Sequence, residues 1–336
     1  MVEFRPDVRY AYYTGRIRAL ETKLLSSFRV EKMIGSSSIS DALIYLENTA
    51  YDDTIGEIKE PEEYPGFVKK EKETIFDLME QLIPDTDVKQ LFKITYDFHN
   101  IKTLLKGRFS EKDTFSSLSE FGTVSCGLLK ETFQTDNFNP LPDFMKEVIG
   151  EAMANYYLTK DLKSMEFLID NLEFRYLYSK AVKTETPFLV NYVRIKIDLI
   201  NISTFLRIKH FDTGNSLKEI LLENGHLPIK FFLNLSGETM ESIPGFFRNT
   251  PYHRVLELGV KKILEDGSFQ ALDRENENFI MDYMKLTRYV TFGIEPIFAY
   301  FISREQDLNI IKMILVGKLN EISAKEIKER IPITFN

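Results

Sequence analysis

Tryptophan is absent from the 336 residues, and cysteine, histidine and long apolar runs are scarce. Each shortage excludes a class of protein. The one cysteine, Cys126, cannot close an internal disulfide, so no secreted disulfide framework is expected. In the context TVSCGLL it reads as a small buried hydrophobe. The four histidines, His99, His210, His226 and His253, include no two at ligand spacing, and no metal or other cofactor is expected. The chain has no GxxxxGK[ST] loop, no GxGxxG after a strand, no HExxH, no CxxC and no GxSxG, which removes the common phosphate-cradling, metalloprotease and nucleophile-elbow chemistries. The strongest apolar stretches, residues 296–303 and 310–316, fall far short of the roughly 20 residues that cross a bilayer. The opening MVEFRPDVRY carries Glu3, Arg5 and Asp7 and lacks the apolar centre of a signal peptide. No transmembrane segment is expected.

What the chain does contain is aromatic and apolar bulk. Its 27 Phe, 16 Tyr and 43% apolar residues suffice for large cores, so global disorder is excluded. The net charge of -8, from 43 basic and 51 acidic residues, argues against nucleic acid as a partner, because such binders present net positive surface.

The apolar spacing is helical throughout. Tyr13, Ile17, Leu20 and Leu24 share one face, as do Leu91, Ile94, Phe98, Ile101 and Leu105. The patterns predict helices over 9–26, 41–46, 70–83, 88–105, 187–209, 252–264, 276–289 and 296–319. Ser38 or Ser40 caps the second, Gly107 ends the fourth, and Ser323 caps a short helix over 324–330. Residues 142–179 hold one long helix or two, interrupted near Asp161. A turn falls at 212–215, with Ser216 capping a short helix over 217–223, and another turn falls at Asp266–Gly267. No alternating segment is long enough to build a sheet, so the fold class is all-α.

One pattern recurs. DFHNIKTLLKGR at 97–108, DLINISTFLRIK at 198–209 and DLNIIKMILVGK at 307–318 align without gaps, at spacings of 101 and 109 residues. Each begins with Asp and ends with a base, Arg108, Lys209 or Lys318. Each has Ile four residues after the Asp (Ile101, Ile202, Ile311) and an apolar pair at seven and eight. These positions fall near one helical face. The reading is three copies of one helical unit, approximately 1–115, 116–225 and 226–336, each a long helix, a basic exit and a short helix. Such modules expose long surfaces suited to protein partners.

Candidate contact residues are Arg16, Arg18 and Arg304 together with the repeat bases Arg108, Lys209 and Lys318. The alternative for the bases is complementarity to a helix C-terminus. Arg18 and Glu21 stand three apart and are expected to pair. The acidic clusters at 60–63, 71–73 and 273–277 read as solvated surface. Two rival functions are a generic helical-repeat binding module and a metal-assisted hydrolase using His253 and Glu257.

The opening YAYYTGRIRALETKLLS, the following VEKMIGSSSISDALIYLENTAYDD, the internal YDFHNIKTLLKGR and the closing EPIFAYFISREQDLNIIKMILVGKLNEISAKEIKERI together resemble the C subunit of the V-type ATP synthase/ATPase of bacteria and archaea, whose eukaryotic counterpart is the V-type ATPase d subunit. The resemblance implies a funnel-like body of three similar helical domains around a pseudo-threefold axis, without catalytic chemistry. It implies a peripheral place on the cytoplasmic side of the membrane. There the protein would join central-stalk subunits of D and F type to the membrane rotor ring and transmit torque between ion flow and ATP synthesis or hydrolysis. Residues 110–180 and 212–285 carry few signatures of that family. The third repeat also departs from the first two, with Ile310 where they have Asn100 and Asn201.

Overall fold

A computed structural model of the chain describes Phe4 and residues 6–55, 64–211 and 217–336. The expected turn at 212–215, its cap Ser216 and the acidic cluster at 60–63 lie outside the described residues. Every described residue is helical or in a connection, with no strand among them; the fold is all-α.

Local chemistry sets the helix starts. A 3-10 turn at Val8–Tyr10 leads into α1 (Ala11–Glu21). The Ser26 hydroxyl accepts from the Arg29 amide and opens α2 (Ser27–Gly35). Ser38, not Ser40, caps α3 (Ile39–Ile44), accepting from the Asp41 amide at 3.0 Å. A side-chain oxygen there satisfies one of the amides a helix start leaves unpaired. α4 (Asp52–Ile55) and α5 (Tyr64–Leu82) come next.

Asp85 caps α6 (Thr86–Ser110), which runs past Gly107, the end expected from sequence, to a left-handed Glu111. Gly107 serves packing instead: a Cβ there would collide with Thr114 and the Lys112 carbonyl. After α7 (Cys126–Thr135), residues 142–179 hold two helices, α8 (Asp143–Thr159) and α9 (Leu162–Lys183). Asp161 makes the break by accepting from the Lys163 and Ser164 amides and capping α9. Then come α10 (Pro187–Phe211), α11 (Leu217–Ile220), α12 (Ile229–Asn234), α13 (Ile243–Phe246) and α14 (His253–Asp266). Gly267 closes α14 at φ 72°, a conformation that costs glycine little. α15 (Gln270–Lys285), α16 (Ile294–Leu319) and α17 (Ala324–Arg330) complete the order. Ser323 caps α17 in a reciprocal capping box with Glu326.

These helices form two compact units, Met1–Pro84 with Glu238–Asn336, and Asp85–Gly237. In the first, α16 is the central helix, packed by α1, α2, α3, α5 and α15. It is buried almost all round, from Ile297 and Phe298 to Ile314 and Leu315. In the second, α9 packs against α6, α8 and α10 through Met165, Ile169, Leu172 and Leu177. The repeat segments form the C-terminal portions of α6, α10 and α16. Their shared Ile101, Ile202 and Ile311 are each 0% exposed, as the aligned apolar face requires.

Candidate functional site

The repeat turns out to be a helix grip. Asp97, Asp198 and Asp307 are each 0% exposed, and each accepts main-chain amides just before a short helix. Asp97 takes the Thr123 amide and hydroxyl, both at 2.7 Å, ahead of α7. Asp198 takes the His226 amide at 3.1 Å and the Leu227 amide at 3.0 Å, ahead of α12. Asp307 takes the Leu25 amide at 2.8 Å, ahead of α2, and the Tyr51 hydroxyl at 3.3 Å.

The base eleven residues further along each repeat meets the other end of the same short helix. Arg108 forms an ion pair with Asp136, the residue that caps α7. Lys209 donates to the Ser236 carbonyl at 2.9 Å, just beyond α12. Lys318 donates to the Ile34 and Ser36 carbonyls at 3.1 and 2.6 Å, at the end of α2. Eleven residues of helix span about 16 Å and return to nearly the same face. That is close to the length of α2 and α7, with nine and ten residues, while Lys209 reaches past the six-residue α12 to Ser236. Lys209 and Lys318, donating at the C-terminal ends of α12 and α2, also complement those helix dipoles.

Two smaller features fit the gripping loop to its long helix. Asn100 pairs with both main-chain groups of Ser119 at 2.8 Å. Asn201 pairs with both of Leu222, at 2.9 and 2.8 Å. Gly122 and Gly225 press against Asp97 and Asp198 so closely that a Cβ would overlap the carboxylate. In the third copy the aligned Ile310 is buried, and Asn336 reaches in from another segment. Its amide donates to the Glu21 carbonyl at 2.9 Å and the Leu24 carbonyl at 3.4 Å.

Burial raises the Asp97 carboxyl to about 6, against the lowering pull of its Thr123 bonds. It raises Asp307 to about 7, against the Leu25 amide, Arg304 and the Tyr51 hydroxyl. Asp307 Oδ1 has no hydrogen-bond partner. A proton on that oxygen leaves the other free to accept from Leu25.

The remaining contact candidates divide. Arg16 is exposed. Arg18 pairs with Glu21 at 2.8 Å, as its spacing suggested, and also donates to the Thr287 and Val290 carbonyls at 2.7 and 2.8 Å. Arg304 is 4% exposed, bonded to Glu71 at 2.9 Å and stacked over the Tyr51 ring at 4.7 Å. Glu71, read from sequence as solvated surface, is 1% exposed. An acidic run on a helix is not uniformly wet when one of its members faces a buried guanidinium. Glu275, from another such cluster, is also buried, against Arg274 at 3.0 Å. Sequence reasoning missed the asparagine and glycine partners of the grip. The signal was present as Asn three residues after two of the three aspartates and a Gly before each gripped helix of those two copies.

His253 Nδ1 lies 3.1 Å from the Pro244 carbonyl. No group of three or more His, Cys, Asp or Glu able to hold a metal occurs among the described residues. No described helix is long and apolar enough to cross a membrane. Cys126 is buried at the first position of α7.

The fold and grip define a helical frame assembled by reusing one clamp. The ATP synthase (C/AC39) subunit family matches residues 13–330, and the chain belongs to it. Similar relatives include the C subunit of the V-type sodium ATPase of Enterococcus hirae, 23% identical over 94% of this chain and 95% of its own. The C subunit of the A-type ATP synthase of Methanocaldococcus jannaschii is 24% identical over 95% of this chain and 85% of its own. That of Thermococcus onnurineus is 23% identical over 96% and 90%. The chain is thus a non-catalytic component of a rotary ATPase family, of the C-subunit kind.

Proposed function

We propose that this chain is the central-rotor adaptor of a V-type ATP synthase/ATPase, peripheral to the membrane on its cytoplasmic side. In this reading it joins central-stalk subunits of D and F type to the membrane rotor ring and carries torque between them. The family match along nearly the whole chain supports the reading most directly. The grip supports it physically. An adaptor must resist twisting, and a short helix held at both poles against a buried long helix is hard to rotate, because dense interiors transmit strain. We further propose three units, near 1–115, 116–225 and 226–336, each built on one repeat helix and disposed about a pseudo-threefold axis. Arg16 is the candidate for direct contact with a partner. Arg18, Arg108, Lys209, Arg304 and Lys318 serve the contact faces by holding the helices that form them.

Affinity purification from detergent-solubilised membranes tests the adaptor reading. The tagged chain is expected to bring down both ring and stalk subunits. Recovery of the folded chain with neither overturns the reading.

A further inference from the structure

The third grip is closed by chain from the other end of the sequence. In the first two, the captured amide lies 26 or 28 residues from its Asp. In the third it lies 282 residues away. From this we infer that α2 is a strap: it is itself buckled to α16 between separately anchored flanks and opens as a unit of its own, without unfolding the rest of its unit.

The flanks of α2 are anchored separately. On one side α1 is tied down by Thr14 to the Gly293 carbonyl at 3.3 Å and by Arg18 to the Thr287 and Val290 carbonyls. On the other, the Tyr51 hydroxyl meets Asp307 and the Arg304 carbonyl. α2 therefore lies between two fixed points and can lift without detaching either. Its apolar hold rests on three side chains, Val30, Met33 and Ile34, while Phe28 stands 64% exposed. Nine residues are too few to remain helical alone, so a lifted α2 melts. Polar fastenings add to that hold: Asp307 at its start, Lys318 at its end, Asn336 on the turn before it, Arg29 on the Tyr45 and Glu47 carbonyls at 2.6 and 2.8 Å, and the exposed Lys328–Glu31 pair at 2.8 Å. Segments with few buried apolar contacts and polar fastenings are those that open sub-globally.

Hydrogen–deuterium exchange on the full chain tests this, with Lys318→Met as the mild variant and Asp307→Ala as the severe one. Losing one fastening of ordinary strength speeds exchange of the α2 amides roughly tenfold and leaves α14 and α15 unchanged. Lys209→Met serves as control, speeding α12 and leaving α2 alone. If α2, α14 and α15 accelerate together in Lys318→Met, α2 belongs to the global unit and the strap does not exist. If α2 does not accelerate in Lys318→Met, the polar fastening is not what holds it, and the inference fails equally. The claim concerns the fold, so its failure leaves the adaptor reading untouched.

Discussion

Replacing Asn201 with Leu isolates what the grip loop contributes. The Asn201 amide satisfies both the N–H and the C=O of Leu222, and Asn201 and Leu222 are buried, at 0% and 4% exposure. Leucine has similar bulk but no polar atoms, so both main-chain groups are stranded away from water. A buried group left unsatisfied costs about 1–3 kcal/mol, so Asn201→Leu, stranding two, destabilises the Asp85–Gly237 unit by about 2–6 kcal/mol. Asn100→Leu removes the same pair of bonds from Ser119, but Ser119 is only half-buried. Water can reach its stranded groups, and the cost falls to about 1–2 kcal/mol. The third copy shows that an aliphatic side chain is tolerated at the aligned position, since Ile310 is buried there while Asn336 bonds the preceding turn. Native-state hydrogen exchange across a urea series, read at α10 and α12 amides, gives the stability of this unit directly. A loss below about 0.5 kcal/mol for Asn201→Leu, or a larger loss for Asn100→Leu, refutes the reasoning.

Arg304→Met leaves the Glu71 carboxylate buried without its cation, with the Thr54 hydroxyl still donating to it, and is expected to cost about 3–5 kcal/mol in urea unfolding. Adding Glu71→Leu should recover much of that, and a double variant no better than the single would contradict the account. Gly225→Ala drives a Cβ into the Asp198 carboxylate and should cost about 1–3 kcal/mol, checked by the same unfolding midpoint; a neutral outcome means the loop can retreat. Asp307 has its folded pKa raised from 3.8 to about 7, so the folded state holds the proton that the unfolded state releases. Its stabilising contribution is full below pH about 4 and is lost as pH climbs through about 7, on the order of 4 kcal/mol in all. Unfolding midpoints at pH 5 and pH 8 should differ less in Asp307→Asn than in the parent, and an unchanged difference removes Asp307 as the cause.

The helix class and most helix bodies were legible because apolar residues at three- and four-residue spacing report a buried face directly. Helix ends were less so. Gly107 looked like a stop because glycine so often ends a helix, but its missing Cβ answers to Thr114 instead. The repeat was visible, with its buried isoleucines and its three bases. What each base touches was not: Lys209 and Lys318 meet main-chain carbonyls, which carry no side-chain signature, and Arg108 meets Asp136, 28 residues on and outside the repeat. The short helices expected directly after each repeat segment are also not the gripped ones. α7, α12 and α2 are, and the third precedes its long helix by most of the chain. Gapless alignment of segments in chain order cannot reveal a partner supplied from the opposite end.

The recurrence of a base at the end of each repeat is what makes Arg108, Lys209 and Lys318 contact candidates. A recurring base at the end of a long helix has the same sequence appearance whether it meets a partner protein or a neighbouring carbonyl. Lys209 and Lys318 spend hydrogen bonds on main-chain carbonyls of their own unit, and Arg108 spends its charge on Asp136. Reversing those charges would loosen α12, α2 and α7 from their long helices before it altered any surface. Lost partner binding in such variants would therefore report a distorted frame. Arg16→Glu, exposed on α1, is the cleaner probe. It should leave the unfolding midpoint within about 0.5 kcal/mol of the parent, so that any loss of ring or stalk subunits in affinity purification is a loss of contact. If Arg16→Glu co-purifies both at parental yield, Arg16 is not a contact residue, and the partner surface must be sought on faces that carry none of the six basic residues.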